Sequence, residues 1–117
     1  MRHARLDDMI KGWFVGDFEP SILRTDAFEV AIKRYRAGET EAVHHHRVAT
    51  EVTVIISGEV RMCNRVWGPG DIIALEPQDA TSFEATTAAV TVVVKAPSVL
   101  GDKYPGRYND PYVVAGD

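Results

Sequence analysis

From residue 28 to residue 95 the chain repeats one pattern: short runs rich in Val, Ile, Thr and aromatic residues, each closed within a few positions by turn-forming residues. That rhythm predicts an all-β sandwich or barrel. The runs place strands at 28–36, 43–46, 51–56, 59–63, 71–75, 81–85 and 89–95. Ser57-Gly58 reads as a tight hairpin between two of them, with the glycine supplying a positive φ. Gly68-Pro69-Gly70-Asp71 reads as a second turn on the same logic.

Ahead of the strands, Leu6, Met9, Ile10 and Trp13 fall at helical spacing, which predicts a short helix over 6–11 ended by Gly12. Trp13, Phe14, Val15 and Phe18, cut by Gly16 and Pro20, predict an edge strand or a wall of the barrel. After Lys95, Pro97, Gly101, Pro105, Gly106 and Pro111 alternate with Tyr104, Tyr108 and Tyr112. Such a segment is an extended tail that lies along its own barrel or reaches a partner subunit. The 117 residues suffice for one core, so the expected organisation is a single domain over 1–117. Its barrel core spans 28–95, with a helix and edge strand in 1–27 and the tail in 96–117.

Charge and cysteine content narrow the partners. A formal net charge of -4 and a pI near 5.5 lack the basic balance that nucleic acid demands. No apolar run reaches the length of a membrane span, and Asp7 and Asp8 interrupt the basic N-terminal residues that would begin a targeting segment. Cys63 is the sole cysteine, so no internal disulfide forms and a reducing, cytoplasmic setting is expected.

The chemistry concentrates in Gly38 to Gly58, G-E-T-E-A-V-H-H-H-R-V-A-T-E-V-T-V-I-I-S-G. In an extended strand, alternate side chains share a face, so His44 and His46 converge while His45 points away. Two imidazoles and the Glu51 carboxylate leave open positions on one ion, the ligand set that suits Fe(II), Mn, Ni or Zn. His45 by itself reads as an exposed polar residue, and Arg47 as a solvated loop residue. Cys63 has no histidine nearby in sequence to form a thiolate, which argues against a nucleophilic role. Trp13 and Trp67 read as core or interface anchors.

The spacing Gly38, His44, His46, Glu51, Gly58 resembles the first motif of the cupin superfamily. A second cupin motif begins plausibly at Gly70-Asp71-Ile72-Ile73-Ala74-Leu75, but Glu76 and Gln78 flank Pro77 where that motif has its Pro-x-Gly turn. Thr81 stands at the position of its fourth ligand, a histidine. The resemblance implies a cupin-type jelly-roll barrel with Glu51, Thr53 and Ile55 facing inward and Val52, Val54 and Ile56 outward. In the first long strand it implies Ala31, Lys33 and Tyr35 inside and Val30, Ile32 and Arg34 outside.

It also implies a site: His44, His46 and Glu51 around a divalent metal, Lys33 and Tyr35 as polar neighbours, Thr81 at the vacated position, and Glu76 or Asp79 as a source of a fourth oxygen. An ammonium beside the cation would be repelled, so Lys33 and the metal oppose each other. Three functional readings follow. The first is a metal-dependent enzyme on a small polar molecule such as a sugar or sugar acid, of the isomerase, dioxygenase or decarboxylase kinds that cupins include. The second is a metal-free ligand-binding barrel. The third is a non-catalytic scaffold that homodimerises through its outward apolar residues.

Overall fold

The computed structural model describes residues 1–109 and contains eleven strands. In chain order these are β1 (Trp13–Gly16), β2 (Leu23–Arg24), β3 (Glu29–Tyr35), β4 (Thr40–His45), β5 (Thr50–Ser57), β6 (Val60–Met62), β7 (Arg65–Trp67), β8 (Ile72–Leu75), β9 (Ala80–Ala85), β10 (Ala89–Ala96) and β11 (Tyr104–Pro105). They form two sheets, one ordered β2-β1-β3-β10-β5-β8 and the other β11-β4-β9-β6-β7. All pairings are antiparallel except β1 with β2.

Alternation decides which residues face the lumen. Along β10, Ala89, Thr91 and Val93 are buried while Val90, Val92 and Val94 are only half-buried. Register carries this across the sheet: Ala31, Val93, Thr53 and Ile73 align in one inward row, and Lys33, Thr91 and Ile55 in the next. The apolar core is Ile55, Val60, Met62, Ile73, Phe83, Ala85 and Ala89, with Tyr35, Trp67 and Leu75 packed against it. Toward the other end of the sheet, Glu29, Lys95 and Glu51 form a charged inward row. One half of the lumen is therefore sealed by hydrocarbon and the other is polar.

Several local expectations change. The N-terminal helix is a single 3-10 turn, Leu6–Asp8, whose preceding residue Arg5 makes no side-chain cap. So short a segment cannot repay helix nucleation, and Met9 is already extended. The aromatic strand β1 is not at the edge; β2 lies outside it. Ser57-Gly58 is a crossover between sheets, because β5 and β6 do not pair. The glycine is still required there: its φ is +80°, and a Cβ would sit 2.1 Å from the Ala88 carbonyl oxygen.

Gly68 to Asp71 likewise returns the chain from β7 in one sheet to β8 in the other. The true two-residue hairpin is Cys63-Asn64, joining β6 to β7 with both residues at positive φ, 53° and 58°, the signature of a type I′ turn. The predicted strand over 59–63 thus ends at Met62. The tail lies along its own barrel through β11, which pairs with β4. Pro111 and Tyr112 fall outside the described residues. No helix among the described residues is long and apolar enough to cross a membrane.

Candidate metal centre

His44 ends the inward run of β4, His46 follows in the turn after it, and Glu51 enters β5 just beyond. Their ligand atoms all lie within 4.8 Å of one another. His46 Nε2 is 2.8 Å from Glu51 Oε2, and the rings of His44 and His46 meet edge-on at 5.5 Å. Ligands at about 2.1 Å from one ion stand roughly 3–4.2 Å apart, so side-chain rotation of under about an ångström closes the set.

What fits these residues to a metal is the other nitrogen of each ring. His44 Nδ1 lies 3.0 Å from the Ala42 carbonyl oxygen, and His46 Nδ1 bonds the Asp102 carbonyl oxygen. A carbonyl only accepts, so both rings carry their Nδ1 proton and turn Nε2 toward the cluster; the His46 Nε2 also holds a proton, donated to Glu51 at 2.8 Å, which a metal would displace. The carbonyl contacts at Nδ1 are the outer support that ligating histidines use.

Burial and charge act against each other here. Burial alone would raise the Glu51 carboxyl, but its hydrogen bond to His46 and the charges of His46, Lys95 and His44 hold it below the usual range. Burial pushes the His44 imidazole down, and the Lys103 ammonium adds to that fall, against the Ala42 carbonyl and Glu51. Both shifts, Glu51 toward the anion and His44 toward the neutral ring, run in the direction that ligation needs.

Asp102 is a residue that sequence reasoning missed. It lies in the predicted tail, yet it is only 5% exposed. Its carboxylate accepts the backbone N–H groups of Arg47, at 2.8 Å, Val48, at 3.2 Å, and Ala49, at 2.9 Å. Burial would raise this carboxyl, but those N–H donors and the nearby His46 keep it below its ordinary value. One residue thus shapes the turn after His46 with its side chain and fixes the His46 ring with its carbonyl.

Glu41 was missed for a different reason. It stands three positions before His44, so strict alternation puts the two on opposite faces. A register shift in β4 opposes Glu41 to Phe83 and His44 to Thr81, which brings both inward. Glu41 Oε1 accepts from the Tyr35 hydroxyl at 3.4 Å. Burial, followed by the charge of Glu41, pushes the Tyr35 phenol well above its usual pKa, so it stays a neutral donor.

The remaining predicted residues are placed as follows. Thr81 is the cross-strand partner of His44, but its hydroxyl accepts from Cys63 N at 2.8 Å and donates to the Ser82 carbonyl at 2.7 Å. Glu76 and Asp79 lie in an exposed turn. Glu76 accepts from Thr50 Oγ1 at 3.2 Å, and Asp79 accepts the Glu76 backbone N–H at 2.9 Å, so neither is part of the cluster. The Lys33 ammonium sits over the Trp13 ring, 4.9 Å from its centroid, and Lys33 is not one of the residues of the His44, His46 and Glu51 cluster.

On the outer face of β4, His45 is buried, not exposed, and stacks on Tyr104. Arg47 is no solvated loop residue either: its guanidinium lies 3.9 Å from the Tyr104 ring centroid and its Nε donates to His45 Nε2 at 3.2 Å.

No protein-family model matches the sequence, and no curated protein matches it. Solved structures do. A double-stranded β-helix protein of Klebsiella pneumoniae is 22% identical with a TM-score of 0.65, the match covering 74% of this chain and 76% of that one. A cupin-superfamily sugar phosphate isomerase of Silicibacter pomeroyi is 19% identical with a TM-score of 0.60, over 72% of this chain and 58% of that one. The pirin YhhW of Escherichia coli, solved with nickel(II), is 15% identical with a TM-score of 0.62, over 75% of this chain and 39% of that one.

Proposed function

We propose that this chain, which has the fold of the cupin superfamily, is a small metal-binding cupin whose lumen takes a small polar molecule. The observation that carries the reading is the convergence of His44, His46 and Glu51 within 4.8 Å, with both imidazoles oriented by backbone carbonyls. A nickel(II) complex of one structural neighbour and the sugar phosphate isomerase activity in the name of another support it by analogy of fold. A bound divalent ion, Fe, Mn, Ni or Zn, would supply Lewis acidity to an oxygen of the ligand. The chain's own groups would do the rest: Tyr35 donates a hydrogen bond, Glu41 accepts one, and the packed core beyond them excludes water. An isomerase-type or dioxygenase-type reaction fits a site with open coordination positions.

Metal analysis tests the reading. Protein purified without a polyhistidine tag or added nickel is expected to carry about one divalent ion per chain, and His46→Ala to lose it. Full occupancy in the variant would refute the ligand set.

A metal-free binding barrel is the second reading. It is favoured by Thr81 at the fourth position, whose hydroxyl is already engaged, and by the direct His46–Glu51 contact. Chelated protein that binds its ligand as tightly as the metal-loaded form would establish it.

A further inference from the structure

Every residue from Val43 to Ala49 is held by one short stretch of the tail. The Gly106 N–H donates to the Val43 carbonyl at 2.8 Å, and Pro105 and Tyr104 stand opposite His44 and His45 in the ladder. Asp102 takes the His46 ring on its carbonyl and the N–H groups of Arg47, Val48 and Ala49 on its carboxylate. His46 lies beyond the end of β4, so its ring takes its aim from the tail and not from a ladder.

The outer face of β4 closes the same contact. His45 is 2% exposed; its Nδ1 donates to the Gly106 carbonyl at 2.8 Å, and its Nε2 accepts from Arg47 Nε at 3.2 Å. Tyr104 stacks on the His45 ring with centroids 5.6 Å apart and carries the Arg47 guanidinium on its own face. A buried imidazole with both nitrogens engaged, and a guanidinium laid on an aromatic ring, make a fastening of defined geometry. Neither side chain belongs to the ligand cluster.

Little else holds this stretch. β11 is the outermost strand of its sheet and is two residues long. None of residues 102–108 belongs to the apolar core, and Lys103 and Arg107 are exposed. Upstream the chain is anchored at Ser98, whose N–H donates to the Asp26 carbonyl at 3.0 Å and whose hydroxyl donates to Glu29 at 2.7 Å. A segment with an exposed backbone edge and no side chain in the core opens more readily than the barrel. Its opening removes the carbonyl behind His46 and the acceptor under residues 47–49 together, while the strand that carries Glu51 stays in place.

We propose that residues 102–108 are a strap whose closure orders the turn that carries His46, with His45, Arg47 and Tyr104 as its latch. These three are positioning residues: they raise the affinity for a metal ion without touching it. The inference rests on the metal reading above and adds a coupling to it. If closing the strap tightens the ion by some factor, the ion favours the closed strap by the same factor.

The test uses the full chain as wild type, Tyr104→Ala, Tyr104→Phe and Arg47→Ala. Zinc affinity is measured by calorimetry, and amide hydrogen exchange is followed with and without zinc. Tyr104→Ala is expected to weaken zinc about fivefold, at the lower end of the usual coupling between sites. Tyr104→Phe, which keeps the ring face, should bind as wild type does. Arg47→Ala should match Tyr104→Ala and keeps the test open if that variant does not fold. A residue that served the fold alone would leave the zinc affinity of the folded protein unchanged.

In metal-free wild type, the Gly106 N–H should exchange about tenfold or more faster than the core Ile55 N–H, which is bonded to the Asp71 carbonyl, because the strap opens by itself. Saturating zinc should slow Gly106 by at least the factor that Tyr104→Ala loses in affinity. The Ala49 N–H, bonded to Asp102, should exchange about fivefold faster in metal-free Tyr104→Ala than in wild type. Zinc bound as tightly by Tyr104→Ala and Arg47→Ala as by wild type, or Gly106 as protected as Ile55, would overturn the strap and leave the metal reading standing. A wild type that holds no zinc refutes the metal reading, and the strap is then judged on metal-free exchange, where an unchanged Ala49 rate refutes it.

Discussion

Asp102 shows how much of the metal centre rests on one side chain. Its carboxylate takes up three adjacent backbone N–H groups, and its carbonyl sets the His46 ring. Asp102→Ala is expected to destabilise the fold by about 2–4 kcal/mol in urea unfolding. The variant keeps the backbone carbonyl that holds the His46 ring, so zinc affinity in calorimetry should fall by less than the roughly 10–100-fold usual when the outer support of a ligand is lost. A larger fall would mean that the carboxylate, through the turn, also positions His46.

The pH dependence has a defined sign. Glu51 and Asp102 have folded pKa values below their ordinary 4.5 and 3.8, so the stability they add is complete above those values and is lost as pH falls through the folded ones. His44 is also lowered, from 6.5, so its contribution to stability is complete above 6.5 and begins to fall below it. Stability is therefore expected to decline on acidification in two stages, the first starting near pH 6.5 and the second below about pH 4.5. Urea midpoints measured across that range check this, and His44→Gln should remove the first stage only.

At the scale of elements, the main strands were legible and the connections were not. Runs of β-branched and aromatic residues between turn residues located β3, β5 and β10; alternation alone could not orient β5, whose two faces are both largely apolar. The three-residue β7 and the two-residue β2 and β11 are too short to show any period. Cys63-Asn64 escaped notice as a hairpin because Cys is not a usual residue at positive φ. Turn chemistry at Ser57-Gly58 was read correctly as a turn but assigned the wrong partner strand, since a glycine reports a backbone angle and not which sheet follows.

The site divides in the same way. His44, His46 and Glu51 share one short segment and could be read from spacing. Glu41 depends on a strand irregularity and Asp102 on a contact spanning more than fifty residues. Neither leaves a local signal. At this scale Gly58→Ala is the informative substitution. A methyl group 2.1 Å from the Ala88 oxygen, at φ +80°, should cost about 2–4 kcal/mol or prevent folding altogether. Circular dichroism melts would show it.

For the whole molecule, the two halves of the lumen divide the labour. Ile55, Val60, Phe83 and their neighbours hold the sheets together, which leaves the polar end free to carry groups that would be costly without partners. A metal ion binds only the folded arrangement of His44, His46 and Glu51, so it should stabilise the whole barrel. Zinc at about one hundred times its Kd is expected to add about 2.7 kcal/mol, seen as a raised Tm that a chelator reverses. The same addition should leave the Tm of His44→Ala where chelation leaves it.

X-ray absorption at the zinc edge of the loaded protein tests the central claim most directly, because it counts imidazoles around the ion. The convergence of residues 44, 46 and 51 predicts one zinc per chain with two imidazole nitrogens and carboxylate oxygen at about 2.0–2.2 Å. Zinc bound with one imidazole or none, or no stoichiometric zinc at all, would contradict it.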